Sequence, residues 1–145
     1  MRKIAAHCLM AVTALAGAAA PVSGLAEDKA TGLSLELNNL ARSEAGCLAT
    51  FMVRNGFEQP LEKVAFEIVL FNAQGLVDRL MVLDFSPLST GKTRVRQFDL
   101  AGADCADISR VLINDAAACD AKALPATACL DNLKTTARPE VEFGS

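Results

Sequence analysis

The 145-residue chain contains no tryptophan, no tyrosine and a single histidine, His7. That histidine sits inside an apolar opening stretch. Met1-Arg2-Lys3 is followed by a nearly unbroken apolar run from Ile4 to Ala20, and then by Pro21-Val22-Ser23-Gly24-Leu25-Ala26 before Glu27-Asp28-Lys29. A short basic start, an apolar core and a small-residue end are the three parts of a secretory signal peptide. Gly24 and Ala26 place the cut after Ala26. A cut after Ala20 would leave Pro21 beside the scissile bond, which disfavours it. The apolar core is shorter than the roughly 20 residues of a membrane-spanning helix. Cys8 precedes the main apolar core, which argues against a lipoprotein, and no Arg-Arg pair supports a twin-arginine signal.

Cleavage after Ala26 leaves 119 residues and removes Arg2 and Lys3 from the fourteen basic residues. Twelve basic residues then face seventeen acidic ones, a net charge of −5. This is the size of one domain. The mature part has no histidine, which excludes Ser-His-Asp and Cys-His catalysis and the histidine-bearing zinc and copper sites. Walker, G-x-G-x-x-G and H-E-x-x-H motifs are missing as well. An enzyme would have to work through carboxylates or lysine alone, so the sequence predicts a non-catalytic protein without a cofactor. The acidic balance and sparse aromatics disfavour a nucleic-acid or anionic-membrane partner. An acidic exported protein fits the periplasm of a Gram-negative cell, or secretion.

Cysteine is what the mature chain does have. Cys47, Cys105, Cys119 and Cys129 form an even set in a small exported domain, which reads as two disulfides. No two of them have the C-x₂₋₄-C spacing of a zinc knuckle or redox motif.

Apolar alternation marks the strands. Leu33, Leu35 and Leu37 form one phase, and Cys47, Ala49, Phe51 and Val53 a second. Val64, Phe66, Ile68 and Leu70 form the strongest. Further strands are predicted over 76–85, 92–100 and 108–113. Turn residues separate them, including Asn55-Gly56, Asn72-Ala73-Gln74-Gly75 and Ser89-Thr90-Gly91. Six or seven strands without a long amphipathic helix indicate an all-β, immunoglobulin-like antiparallel β-sandwich. It is assigned to residues 27–134, with a disulfide-tied C-terminal segment holding a short helical turn near 127–134. Residues 135–145 read as an irregular tail. Strands running alternately up and down put Cys47 and Cys105 at one end of the sandwich and Cys119 and Cys129 at the other. Because bridging needs Cα atoms within about 7 Å, this parity selects Cys47–Cys105 and Cys119–Cys129.

Residues 47–100 carry a resemblance. Phe66-Glu67-Ile68-Val69-Leu70-Phe71-Asn72-Ala73-Gln74-Gly75, followed by Leu88-Ser89-Thr90-Gly91 and a strand reaching Phe98, resembles the FxLYD-type immunoglobulin-like modules of bacterial exported proteins. Phe71-Asn72 stands where Tyr-Asp is typical of those modules, and the cysteines are additional. The resemblance implies an accessory or interaction domain and transfers no catalytic residue.

Lys92, Arg94 and Arg96 alternate on one strand, as a basic stripe for an acidic partner or as edge protection. Phe98 and Leu100 share their phase, which predicts a bulge near Gln97 that turns the chain over. Phe57 in a polar loop is a candidate exposed contact. Asp104, Asp107, Asp115 and Asp120 match no calcium-loop spacing and read as turn carboxylates. Met52 and Met81 read as core or near-core residues. The function these features indicate is an exported interaction domain acting on a protein partner. The alternative is a small-ligand binder, or an inhibitor of a secreted enzyme, working through loops such as 55–62 or 86–91.

Overall fold

The computed structural model describes residues 31–145, so the signal-peptide reading of 1–26 lies outside the described residues. Alternation dictates the first two strands. In β1 (Leu33–Arg42) Leu33, Leu35 and Leu37 face inward and are fully buried. In β2 (Gly46–Asn55) Cys47, Ala49, Phe51 and Val53 do the same. The two pair as an antiparallel hairpin with an irregularity between Leu37 and Asn39, which carries β1 beyond Asn38-Asn39 to Arg42. Gly46 begins β2 where a Cβ would stand 2.6 Å from the Leu100 carbonyl oxygen, so only glycine fits that approach.

The remaining strands are β3 (Lys63–Phe71), β4 (Val77–Asp84), β5 (Thr93–Ala101), β6 (Arg110–Asp120), β7 (Leu133–Ala137) and β8 (Glu142–Gly144), with a one-turn helix α1 (Ala128–Asp131) before β7. They form two four-stranded sheets in the orders β5-β2-β1-β7 and β4-β3-β6-β8. The chain changes sheet after β2, β4, β5, β6 and β7. Strands β1, β2 and β5 in one sheet with β3 and β6 in the other occupy the A, B, E and C, F places of an immunoglobulin-like sandwich. The core lies between the sheets. Phe51 is its hub, with ring centroids 5.6 Å from Phe85, 6.0 Å from Phe98 and 5.9 Å from Phe143 in tilted or edge-on contacts.

Three expectations need correction. Residues 135–145 are not an irregular tail: β7 pairs parallel with β1 from Leu33↔Leu133 to Leu37↔Ala137, and β8 pairs parallel with β6. Each sheet thereby gains its fourth strand, and Phe143 fills the space beside Phe51. The last long strand, predicted over 108–113, does not stop at Ile113. Register shifts opposite Ala65/Phe66 and Glu67/Ile68 absorb its extra residues, and β6 continues to Asp120. No bulge occurs at Gln97 either, since β5 pairs with β2 without a shift from Gly46↔Ala101 to Arg54↔Thr93. Arg94 and Arg96 therefore share the inward-facing phase of Phe98 and Leu100. A sheet edge can hold this arrangement because long basic side chains lay their stems on the core and carry their charge to water.

Both disulfides form with the connectivity that strand parity selects. Cys47 and Cys105 have Cα atoms 5.1 Å apart, and Cys119 and Cys129 5.8 Å apart. The first joins β2 to the short 3-10 turn Cys105–Asp107, and the second joins the end of β6 to α1. Their sequence separations are 58 and 10 residues. Loop-closure entropy then gives about 4.2 kcal/mol for the long bridge and about 2.7 kcal/mol for the short one. Replacing Cys47 and Cys105 by alanine should lower unfolding free energy in urea more than replacing Cys119 and Cys129. The reverse order would show that the short bridge holds more than its own loop.

Candidate functional site

The outer face of the β5-β2-β1-β7 sheet is polar because every second residue of its strands points to water. In register across the four strands stand Thr93, Arg54, Ser34 and Lys134. The next row is Val95, Met52, Glu36 and Thr136. All of these except Val95 border a shallow groove of about 310 Å³. Arg54, Thr93 and Lys134 are exposed, and Ser34 and Glu36 are half-buried. Neither Arg54 nor Lys134 is within ion-pair distance of a carboxylate among the described residues.

Glu36 is already engaged. Its Oε1 accepts a hydrogen bond from Arg138 Nε at 2.7 Å and one from Asn38 Nδ2 at 2.8 Å. These donors, the Arg138 guanidinium first, hold the carboxyl below its ordinary value of 4.5. Arg138 follows β7, and its backbone N–H donates to the Leu37 carbonyl at 2.9 Å. The pair therefore fastens the C-terminal segment to β1.

Of the basic residues singled out by alternation, Lys92 precedes β5 and is exposed. Its carbonyl accepts from the Asn55 backbone N–H at 3.2 Å. Arg94 lies opposite Val53 and is exposed. Arg96 lies opposite Phe51, is half-buried, and donates from Nη2 to the Ser86 carbonyl at 3.2 Å. The three are not a stripe on the sheet's solvent face. Lys92 and Arg94 instead flank Thr93 at the end of the sandwich where Arg54 emerges.

Phe57 is not an exposed contact residue. It is half-buried and packs against the core, with its backbone N–H donating to Asn55 Oδ1 at 2.9 Å. Sequence reasoning missed Arg54 and Lys134. In the sequence Arg54 is only one residue in the polar phase of an alternating strand, and Lys134 lies in a segment without a predicted strand. Cys47, Cys105, Cys119 and Cys129 are all committed to the disulfides. The carboxylates of Asp104, Asp107 and Asp115 accept hydrogen bonds from the backbone N–H groups of Ala106, Ala73 and Ala116. Met81 packs against the core, whereas Met52 lies on the outer face, its Sδ 3.6 Å from Asn38 Nδ2.

At the far end, a cleft of about 150 Å³ is bordered by Asp78, Arg79 and Asp104. The Arg79 guanidinium donates to the Ala101 and Gly102 carbonyls and pairs with Asp78. This cleft is a closure between the sheets, its cation already occupied.

A second surface has the opposite character. On the outer face of the β4-β3-β6-β8 sheet, Leu80 and Val82 of β4 are each 57% exposed, and Leu76 and Val77 at its start 64% and 55%. Leu80 lies opposite Val69, and Val69 opposite Leu112, so the apolar area continues across three strands.

Comparisons with protein-family models, with curated proteins and with solved structures return no match.

The Glu36–Arg138 contact carries a pH dependence. A carboxyl held lower in the folded chain than in the unfolded one adds stability above its ordinary value, and that contribution is lost as pH falls through the folded value. The amide signals of Glu36, Arg138 and β7 should therefore inflect together below pH 4.5, and Glu36→Gln should remove the inflection. An inflection at or above 4.5 would show that the contact does not form in solution.

Proposed function

We propose that this protein is an exported, non-catalytic interaction domain that takes an extended segment of a partner protein along the edge of β4. Two disulfides suit an oxidising compartment. The signal-like opening of the sequence and the acidic balance of residues 27–145 suit the periplasm, or secretion. The resemblance to FxLYD-type modules points the same way.

The carrying observation is an asymmetry among the sheet edges. An open edge offers unpaired N–H and C=O groups to any extended chain. The β5 edge is guarded by Arg94 and Arg96, whose phase points inward. The β7 and β8 edges are only five and three residues long. β4 offers eight residues, and Leu80-Met81-Val82-Leu83 at its centre holds no charge and no proline. A partner strand added there would satisfy those backbone groups and cover Leu80 and Val82 with its own apolar side chains, the mode of strand addition. A second copy is the weaker occupant. An antiparallel self-pairing centred on Met81 sets Asp78 against Asp84, and the acidic chain repels itself.

The inhibitor reading draws on one specific observation. Asn55 and the Leu61↔Leu88 bridge tie the loops 56–62 and 86–92 to each other.

A photo-reactive residue at Val82 in living cells should crosslink a partner that then binds the purified protein in reconstitution. Leu80→Lys combined with Val82→Lys should weaken that binding at least about tenfold, the effect of burying a charge at an interface. Both positions face water, so stability should hold. Equal affinity of the double variant, or crosslinks only from the 56–62 loop, would contradict strand addition and favour the loops.

A further inference from the structure

We propose that the outer face of the β5-β2-β1-β7 sheet binds a small ligand with a phosphate or carboxylate head group, held between Arg54 and Lys134 over Ser34. This site lies on the sheet opposite β4 and is separate from strand addition.

The argument begins with register. Arg54, Ser34 and Lys134 occupy one row on three neighbouring strands. Strand spacing of about 4.8 Å sets the two basic Cα atoms roughly 10 Å apart. Side chains of this length, rising from the same face on either side of a serine, both reach the space above it. Such a pair repels itself unless an anion lies between. Within the described residues neither cation has a carboxylate at ion-pair distance, although the chain is acidic overall. Glu36, one row further, already accepts from Arg138 and Asn38.

The donors match an oxyanion. Arg54 offers a planar fork suited to carboxylate or phosphate, and Lys134 a compact charge. The Ser34 and Thr93 hydroxyls lie in the same row. The second row sets the rest of the ligand. Met52 and Val95 offer apolar contact, with Val95 57% exposed, while the Glu36 carboxylate disfavours a second negative group. The occupant is therefore an anionic head with a neutral or apolar extension.

Titrating the oxidised protein with inorganic phosphate, acetate and octyl phosphate, and following backbone and side-chain NMR signals, tests the site. Saturable shifts are expected at Ser34, Arg54, Thr93 and Lys134. Octyl phosphate should bind more tightly than phosphate and also shift Met52 and Val95. The phosphate and acetate arms show which head group is preferred. Arg54→Gln and Lys134→Gln should each weaken octyl phosphate about tenfold, as expected for loss of one charged hydrogen bond. Lys122→Gln should leave the affinity unchanged. Added salt should weaken binding. Shifts scattered over all basic residues, no saturation, or equal affinity in the Arg54→Gln and Lys134→Gln proteins would overturn the proposal. Unchanged shifts elsewhere in both variants would show that the fold is intact.

Discussion

One buried amide organises the end of the molecule where the chain changes sheet. Asn55, the last residue of β2, is the one buried polar side chain among the described residues and is fully covered. Its Nδ2 donates to the carbonyls of Gln59 at 2.9 Å and Leu88 at 3.1 Å, and its Oδ1 accepts from Phe57 N–H at 2.9 Å. Its backbone bonds to Lys92 and Gly91. A buried amide is tolerated only when its donors and acceptors are met, and here two separate segments, 56–62 and 86–92, meet them. The crossover from β2 to β3 and the one from β4 to β5 are held against each other through a single side chain. The Leu61↔Leu88 bridge extends the same contact. Arg54 leaves β2 immediately before this point and Thr93 begins β5 immediately after it, so the cationic row rests on the same constraint.

Around that point the division of labour between the sheets follows from polarity. Phe51, Phe85, Phe98 and Phe143 fill the space between them, where a chain without tryptophan must reach its volume through several phenylalanines. The disulfides close the two ends. Arg79 closes one lateral gap through the Ala101 and Gly102 carbonyls, and Arg110 lays its guanidinium over Phe71, 5.4 Å from the ring centre. Arginines committed in this way are structural. Arg54 and Lys134 have no such commitment among the described residues, and β4 has no cover. These two differences, rather than any cavity, mark the outer faces that can do something.

Much of the fold was legible because it is written in local alternation. The buried phases of β1, β2 and β3 are the ones periodicity picks out, and strand parity alone selects the disulfide pairs. What escaped was non-local. Leu133-Lys134-Thr135-Thr136-Ala137 has little pattern of its own and becomes a strand because β1 offers it an open edge. β8 has only three residues and depends on β6 and on Phe143. Arg94 and Arg96 conflict with Phe98 and Leu100 only if charges must face water directly; at an edge they need not. Phe57 looked exposed because its neighbours are polar, but the Asn55 side chain turns its backbone back towards the core. The cationic row joins residues from four strands, two of them β5 and β7, so its membership depends on pairings that no single segment reveals.

The organising role of Asn55 is open to one direct measurement: amide hydrogen exchange and urea unfolding of the oxidised Asn55→Ala protein beside the unchanged chain. Removing the amide strands the Phe57 N–H and the Gln59 and Leu88 carbonyls, a cost of about 3 kcal/mol. The prediction is that much lost stability, together with lost protection at Phe57, Leu61, Leu88 and Gly91, while the β3–β4 pairing keeps its protection relative to global unfolding. Unchanged protection at those four amides, or a stability loss spread evenly over the sandwich, would contradict it and return the crossovers to the core and the disulfides.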